Sequence, residues 1–345
     1  MTWAHLYPGV PIALASALLF GAATPLSKIL VGSVDPQLLA GLLYLGSGIG
    51  LAAVYLTRAT PEAPLRAADI PWLVAVVITG GVAGPLLLMW GLARTEASTG
   101  SLLLNLEGLA TMAIAWIVFR ESVDRRLLLG ALAIIAGACV LTWEGGAPRI
   151  GTGAILIAAA CAAWGIDNNL TRALSNADPV QIAMIKGLAA GAANTGFALA
   201  NGAVIPGPTT IAAAAVLGFF GFGVSLVLFV LALRHLGAAR TGAYFSLAPF
   251  IGAALAIPLL HETLTIPFFI AAGLMAFGLW MHLAERHDHA HVHDPLEHAH
   301  NHVHDAHHQH GHDGPITEPH AHWHRHAPLR HAHPHYPDPH HRHTH

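Results

Sequence analysis

The chain has 345 residues, of which 54% are apolar and 10% carry a formal charge, and its net charge at pH 7 is −3. An ordinary soluble domain carries about 25% charged residues, and here the apolar residues fall into many separate runs. The composition therefore excludes a soluble enzyme and predicts a polytopic membrane protein whose main partner is the lipid bilayer. No nucleic-acid partner is expected.

Hydropathy predicts an all-α chain that crosses the membrane repeatedly. The connecting loops are short and polar or rich in proline, which leaves no room for a soluble domain before residue 284. The ten predicted spans cover about 10–30, 37–57, 70–92, 97–119, 125–144, 151–174, 180–202, 210–233, 240–260 and 264–283.

The fourth predicted span, residues 97–119, carries an acid near its middle. A helix of that length is roughly 30 Å long, which matches the hydrocarbon core and places Glu107 near the midplane. An acid there costs on the order of 3 kcal/mol, which the apolar residues of the span offset. We therefore interpret Glu107 as facing the protein interior or a water-filled path. The alternative is a protonated, hydrogen-bonded packing residue.

Further polar residues lie inside other predicted spans. A lysine and two acids in one bundle predict a buried charge network that serves substrate binding or proton relay. The alternatives are a structural ion pair and, for the lysine, a side chain that reaches the interface. With the acid of the fourth span, these residues form the predicted substrate or proton pathway: Glu107, Asn105, Asp167, Asn168, Asn169 and Lys186.

Two stretches of the chain recur later at nearly the same spacing. Residues 93–123 resemble residues 232–264 at an offset of about 141, and residues 17–30 resemble residues 161–174 at an offset of about 144. Such spacing predicts a duplicated unit. The predicted domains are a first five-helix repeat at 1–148, a second at 149–284 and a tail at 285–345. The aligned pairs include Leu106 with Leu247, Gly108 with Pro249, Phe20 with Trp164, Gly21 with Gly165 and Lys28 with Arg172.

The distribution of basic residues predicts the orientation. With a cytoplasmic N-terminus, the inner loops would carry eight arginines and the outer loops three basic residues, which places both termini in the cytoplasm and the protein in the plasma or inner membrane. An odd number of helices per repeat then makes the two repeats inverted. The inner set is Arg58, Arg66, Arg120, Arg125, Arg126, Arg172, Arg234 and Arg240, and the outer set is Lys28, Arg94 and Arg149.

These motifs resemble the EamA-type carriers of the drug/metabolite transporter superfamily, over nearly all of residues 10–283. Each half starts with Phe-Gly or Trp-Gly, followed about seven positions later by Lys28 or Arg172, and each has a small-residue helix that ends in an acid, Glu121 or Glu262. The resemblance implies a secondary carrier, usually of organic solutes. The family's Glu-Pro pair departs from its pattern in both halves, so unequal contributions to a site are expected: it reads Glu107-Gly108 and Ala248-Pro249.

The tail has a different composition, because 23 of the last 59 residues are histidine. Such a polar, proline-interrupted segment is predicted to be disordered without metal. Imidazoles suit Ni, Co, Zn or Cu(II), so the tail is predicted to bind a divalent metal at several exchanging sites. A solubilising tail without a metal role is the alternative. The densest cluster comprises His287, His289, His291, His293, His298, His300, His302, His304, His307, His308, His310 and His312.

Three functions remain open at this point. The first is a secondary exporter of a divalent metal such as Ni, Co or Zn. The second is an exporter of an organic metabolite or drug whose tail only senses metal, and the third is a membrane-anchored metal store. The sequence favours a drug/metabolite-type carrier with a metal-responsive tail and leaves the cargo, a small molecule or a metal ion, undecided. No enzyme and no required cofactor are expected, since the chain has no metalloprotease His-Glu-x-x-His motif, and a second copy of the chain is a candidate partner.

Overall fold

The computed structural model describes residues 9–58, 65–119, 125–142, 151–171, 174, 177–283, 287–293, 297–302, 320–325 and 329–335. Up to residue 283 these ranges are helical with short connections. The helices are α1 Gly9–Val31, α2 Pro36–Thr57, α3 Ile70–Val76, α4 Gly84–Leu92, α5 Ala97–Leu103, α6 Leu106–Phe119, α7 Arg125–Leu141, α8 Thr152–Thr171, α9 Pro179–Ala200, α10 Pro208–Gly218, α11 Ser225–Phe245, α12 Ala248–Leu260 and α13 Ile266–Leu283.

Length and composition make seven of the described helical stretches candidates to cross a membrane. Two shorter apolar helices, Ala248–Leu260 and Ile266–His282, follow them. The prediction of an all-helical polytopic membrane protein is therefore confirmed at that level, whereas the count of ten spans stays a prediction. The seven candidates are Gly9–Val31, Pro36–Thr57, Ala67–Leu92, Ala97–Val118, Thr152–Thr171, Pro179–Ala200 and Pro208–Ala232.

The boundary between the predicted eighth and ninth spans is wrong. The sequence predicts a break between residues 233 and 240, but α11 continues through this stretch to Phe245. Leu, Ala and Arg dominate the stretch and are strong helix formers, so its two arginines do not end the helix. The break comes instead at Ser246 and Leu247.

The fourth predicted span is not one continuous helix, since a turn at Leu104 and Asn105 separates α5 from α6. The backbone N–H and the side-chain Nδ2 of Asn105 both donate to the carbonyl of Leu102, at 3.1 and 2.8 Å. A side-chain amide that binds a nearby carbonyl competes with the helical hydrogen bonds. The break leaves Glu107 in the first turn of α6.

Two spans contain a π-helical segment in their middle. Segment π1, Val77–Ala83, joins α3 to α4, and segment π2, Phe219–Val224, joins α10 to α11. In each segment the backbone hydrogen bond reaches five residues back: Gly84 donates to Thr79, and Ser225 donates to Phe220. The two segments lie about 141 residues apart, so this irregularity is duplicated together with the sequence. Short π-helical segments inside α-helices often occur at functional sites.

Helices α2 and α9 pack closely and run antiparallel. Their neighbours change in opposite directions along the two helices, with Gly41 beside Thr195 and Arg58 beside Asp178. A methyl group on Gly191 would lie 2.5 Å from the amide nitrogen of Leu45. Small residues allow such close approach between helices in lipid.

Helices α7 and α13 also run antiparallel, with Gly130 beside His282 and Gly137 beside Met275. Other helices contact each other in matching pairs, because α1 packs on α11 and α12 while α8 packs on α4 and α6. These matching contacts relate the two halves of the helical part.

The tail differs from the predicted disorder in the ranges that the structure describes. It contains four strands that form two antiparallel ladders, β1 (His287–His293) with β4 (Leu329–His335) and β2 (Glu297–His302) with β3 (His320–Arg325). The alternation of histidine with other residues has the period of a strand, and pairing satisfies the backbone of an extended chain.

Candidate substrate site at the centre of the helical bundle

Asn168 on α8 and Gly108 on α6 are exposed, and each lies on the side of its helix opposite an exposed large apolar side chain. On α8 the exposed large apolar side chains are Ile155 and Ile166. Asn168, which is also exposed, follows Ile166 by two residues and so lies about 200° around the helix from it. On α6, Gly108 lies opposite the exposed Ile117, and a methyl group on Gly108 would meet no atom within 4 Å. From these positions we infer a space inside the bundle that Asn168 and Gly108 line.

Glu107 lies at the wall of this space and contacts α8. Asn168 Nδ2 donates to Glu107 Oε1 at 3.0 Å and to Thr111 Oγ1 at 3.2 Å. Thr111 Oγ1 in turn donates to the carbonyl of Glu107 at 2.9 Å. An amide donor thus orients the carboxylate, and Glu107 as a whole residue is partly buried.

Asp167, the residue before Asn168 on α8, forms an ion pair with Lys186 of α9. Lys186 Nζ lies 2.5 Å from Asp167 Oδ2, and the two side chains are 9% and 8% exposed respectively. The carboxylate of Asp167 touches π1, since a methyl group on Gly80 would overlap it. Because both charges are buried, each one depends on the other for neutralisation.

The remaining two predicted site residues have local structural contacts. Asn169 Nδ2 donates to the carbonyls of Thr111 and Gly165, at 3.0 and 2.8 Å, and so joins α8 to α6. Asn105 stabilises the break between α5 and α6 and lies 3.8 Å from the sulfur of Met275. The structure therefore separates the six predicted residues into a carboxylate–amide pair, an ion pair and two residues that hold backbone.

An aromatic cluster adjoins the polar wall and consists of Phe20, Tyr44, Trp164, Phe222 and Phe245. Phe20 is central: its ring centroid lies 6.4 Å from Trp164, 6.1 Å from Phe222 and 5.3 Å from Phe245. The rings of Tyr44 and Phe222 are 5.6 Å apart. Phe20 is partly exposed and lies about 200° around α1 from the exposed Leu18, on the side of the helix where we infer the interior space.

Sequence reasoning missed Tyr44, Thr111 and Gly80 as members of the site. Tyr44 and Thr111 are single residues in apolar helices and carry no motif. A signal for Gly80 was present, because glycines at 80, 81 and 84 precede Pro85 in the third span. Interruption of a span by glycine and proline is typical of binding sites in transporters.

The charged part of the site occurs in only one of the two halves. At the offset of 144 residues, Asp167 corresponds to Ala23. Helices α2 and α9 both start with Asp-Pro, at Pro36 and Pro179, and this offset of 143 residues matches Lys186 with Leu43 and Tyr44 with Gly187. The structure gives Ala23 the equivalent contact, since Gly221 of π2 faces Ala23 as Gly80 of π1 faces Asp167. The two halves therefore share a scaffold but differ in chemistry at this position.

Lys28 and Glu262 bind backbone at another end of the bundle. Lys28 Nζ donates to the carbonyls of Leu92 and Thr95, at 2.6 and 2.8 Å. Glu262 accepts from the backbone N–H groups of Ala97 and Ser98, at 2.6 and 2.9 Å. Both side chains thus stabilise the connection between α4 and α5. Their predicted counterparts lie outside the described residues: Arg172 and Glu121.

The predicted metal ligands lie in the tail. Within the residues that the structure describes, no group of three or more His, Cys, Asp or Glu side chains is placed to hold a metal ion. The structure describes the backbone, but not the side chains, of His287, His289, His291, His293, His298, His300 and His302. Wholly outside the described residues are His304, His307, His308, His310 and His312.

Polar side chains beside interrupted membrane-spanning helices are typical of transporter sites. The sequence profile of the EamA-like transporter family matches this chain twice, over residues 7–143 and 151–284. The chain belongs to the EamA-like transporter family, and hence to the drug/metabolite transporter superfamily.

Individual relatives agree with this assignment. The chain is 29% identical to an "Uncharacterized transporter" of Methanothermobacter thermautotrophicus over 295 residues, which cover 78% of this chain and 84% of the relative. It is 28% identical over 174 residues to a "Probable terminal-alkyne amino-acid exporter" of Streptantibioticus cattleyicolor, covering 50% and 52% of the two chains. A solved crystal structure superposes with a TM-score of 0.59 at 20% identity, over 79% of this chain and 96% of the other, which shows the fold alone.

Proposed function

We propose that this transporter is a secondary exporter of a small organic solute that carries a cationic group, such as the ammonium group of an amino acid. The observation that carries the proposal is the carboxylate of the partly buried Glu107, which Asn168 orients at 3.0 Å on the side of α6 and α8 where we infer the interior space. An ammonium group would pair with the carboxylate, and aromatic faces attract cations as well. The apolar part of the solute would contact Phe20 and its neighbours.

The relatives support an organic solute. One of them is named for the export of terminal-alkyne amino acids, which combine an ammonium group with a short apolar side chain. The site offers one group for each of these parts. The carboxylate can pair with the ammonium group of such an amino acid, and the aromatic rings beside it can contact the apolar side chain.

The transport cycle we infer is alternating access by two inverted repeats of five spans. Helices α2 and α9 occupy equivalent places in the two halves and run antiparallel, and the same holds for α7 and α13. Equivalent helices that run in opposite directions are expected from an inverted repeat and not from a parallel one. The orientation is tested by placing a cysteine at each terminus of the protein and treating intact cells with a membrane-impermeant thiol reagent. If both termini lie in the cytoplasm, neither cysteine should be labelled.

We infer further that Glu107 exchanges a proton for the solute. Purified protein in proteoliposomes should move L-propargylglycine, L-leucine or L-phenylalanine when a proton gradient is imposed. Glu107→Gln keeps the shape of the side chain and removes its charge, so it should abolish the response to the gradient. The matched control is Glu96→Gln, because Glu96 caps α5 without a side-chain hydrogen bond. Proton-driven flux that survives in Glu107→Gln would contradict this role.

The histidine content of the tail favours a second activity, a response to divalent metal. We propose that Ni, Co, Zn or Cu binds the tail and adjusts export, with metal export itself as the competing function. Strains that lack the gene, carry the full chain or carry residues 1–285 should be compared for tolerance to each metal and for metal content. Equal tolerance and content in all three would eliminate metal export, and unchanged amino-acid export on adding metal would eliminate the sensory role.

A further inference from the structure

The carbonyl group of Gly80 has no backbone partner in the register of π1. Each hydrogen bond in this segment reaches five residues back, and Gly84 donates to Thr79. The next bond of the series would run from residue 85 to Gly80, but residue 85 is proline and has no N–H group. Pro85 therefore leaves a buried backbone acceptor free inside a membrane span, where an unpaired polar group is costly.

Two aromatic side chains supply the missing donors. The hydroxyl group of Tyr44 donates to the Gly80 carbonyl at 3.0 Å, and Trp164 Nε1 donates to it at 3.1 Å. The residues come from α2 and α8, and both are buried, at 8% and 6% exposure. One carbonyl thus holds two rings of the aromatic cluster, and those rings support Phe20 and Phe222.

The second half of the chain serves as an internal comparison. Residue 226, which takes the place of Pro85 relative to Gly221, is a leucine and keeps its N–H group. The residues equivalent to Trp164 and Tyr44 are Phe20 and Gly187, whose side chains have no polar donor. The proline and the two donors therefore occur together in one half and are absent together from the other half.

We propose that Pro85, Tyr44 and Trp164 are positioning residues that determine selectivity for the apolar part of the transported solute. Because Pro85 leaves the Gly80 carbonyl without a backbone donor, Tyr44 and Trp164 both bind it. Their fixed rings then pack against Phe222 and Phe20. The width of the apolar part of the site is then set by backbone geometry in π1. This inference rests on the proposed function, since it concerns the same site.

Transport of two probes tests the proposal. L-leucine has an apolar side chain that would reach the rings, and L-alanine has almost none. Tyr44→Phe removes only the hydroxyl group, and loss of one hydrogen bond of about 1 kcal/mol corresponds to roughly a 5-fold change. We expect the apparent KM for leucine to rise about 5-fold at unchanged maximal rate, with the KM for alanine changed less than about 2-fold. Tyr55→Phe is the control.

A double-mutant cycle then tests the role of the proline. In Pro85→Ala the new N–H group can bind the Gly80 carbonyl, so Tyr44→Phe should have little further effect in that background. Pro258→Ala, at an exposed proline inside α12, is the control. Equal changes for leucine and alanine, or an undiminished effect of Tyr44→Phe beside Pro85→Ala, would overturn the proposal.

The proposed function can fail independently. If the wild-type protein moves no amino acid, the same cycle is measured as midpoints of thermal unfolding in detergent. Additive changes in the unfolding midpoint would overturn the proposal that Pro85 and Tyr44 act through the Gly80 carbonyl. A smaller effect of Tyr44→Phe in the Pro85→Ala background would support it. Trp164→Phe, which copies the residue of the other half, should behave like Tyr44→Phe in either assay.

Discussion

Removing one partner of the Asp167–Lys186 ion pair should destabilise the protein far more than removing both. Each side chain is less than 10% exposed, and the charged atoms lie 2.5 Å apart. A buried charge that loses its partner costs about 3–5 kcal/mol, whereas replacing a whole buried pair by apolar residues is often neutral. Asp167→Ala alone and Lys186→Leu alone should therefore both be severely destabilised.

The other half of the chain supplies the substitutions for the double variant. Ala23 and Leu43 occupy the positions equivalent to Asp167 and Lys186, and Gly221 packs against Ala23 as Gly80 packs against Asp167. The double variant thus copies a solution that the same scaffold already uses. Its stability should return to within about 1 kcal/mol of the wild type.

Thermal unfolding of the four proteins in one detergent measures this cycle. For a chain of this size, about 3–5 kcal/mol corresponds to a shift of several degrees in the midpoint. The single variants should unfold several degrees earlier than the wild type, and the double variant should recover most of that difference. A double variant that is as unstable as the worse single variant would show that the pair is not the reason for the loss.

Two further substitutions and one deletion follow from the structure. Gly191→Leu should destabilise the α2–α9 contact by more than about 1–3 kcal/mol, since even a methyl group would meet Leu45 at 2.5 Å. The control Gly196→Leu, in open space, should change the unfolding midpoint little. Equal effects of the two substitutions would contradict the close packing of α2 on α9. Glu262→Ala removes two hydrogen bonds to the start of α5 and should cost about 1–3 kcal/mol by the same assay, whereas Glu96→Ala should be near neutral. Deleting residues 286–345 should leave amino-acid export intact in the absence of metal, and loss of flux would assign the tail a direct role in transport.

The class of the protein could be read from the sequence because its signals are one-dimensional. Apolar runs of the length of a bilayer predict spans, and recurrence at about 141 residues predicts a duplication, without knowledge of any contact. Glu107, Asp167 and Lys186 stood out for the same reason, since a charge inside an apolar run is costly wherever its partner lies. The two family matches, at residues 7–143 and 151–284, agree with that duplication.

The partners of those charges were decided by the tertiary structure. Sequence alone placed Glu107, Asp167 and Lys186 in one network, whereas the packing of α6, α8 and α9 gives Glu107 to Asn168 and Lys186 to Asp167. The π segments were also hidden, because π1 depends on donors that approach Gly80 from helices 36 and 84 residues away in the chain. Hydropathy reports how much apolar surface a segment carries. It does not report which distant side chain will donate a hydrogen bond to a carbonyl group that a proline has left without a backbone donor.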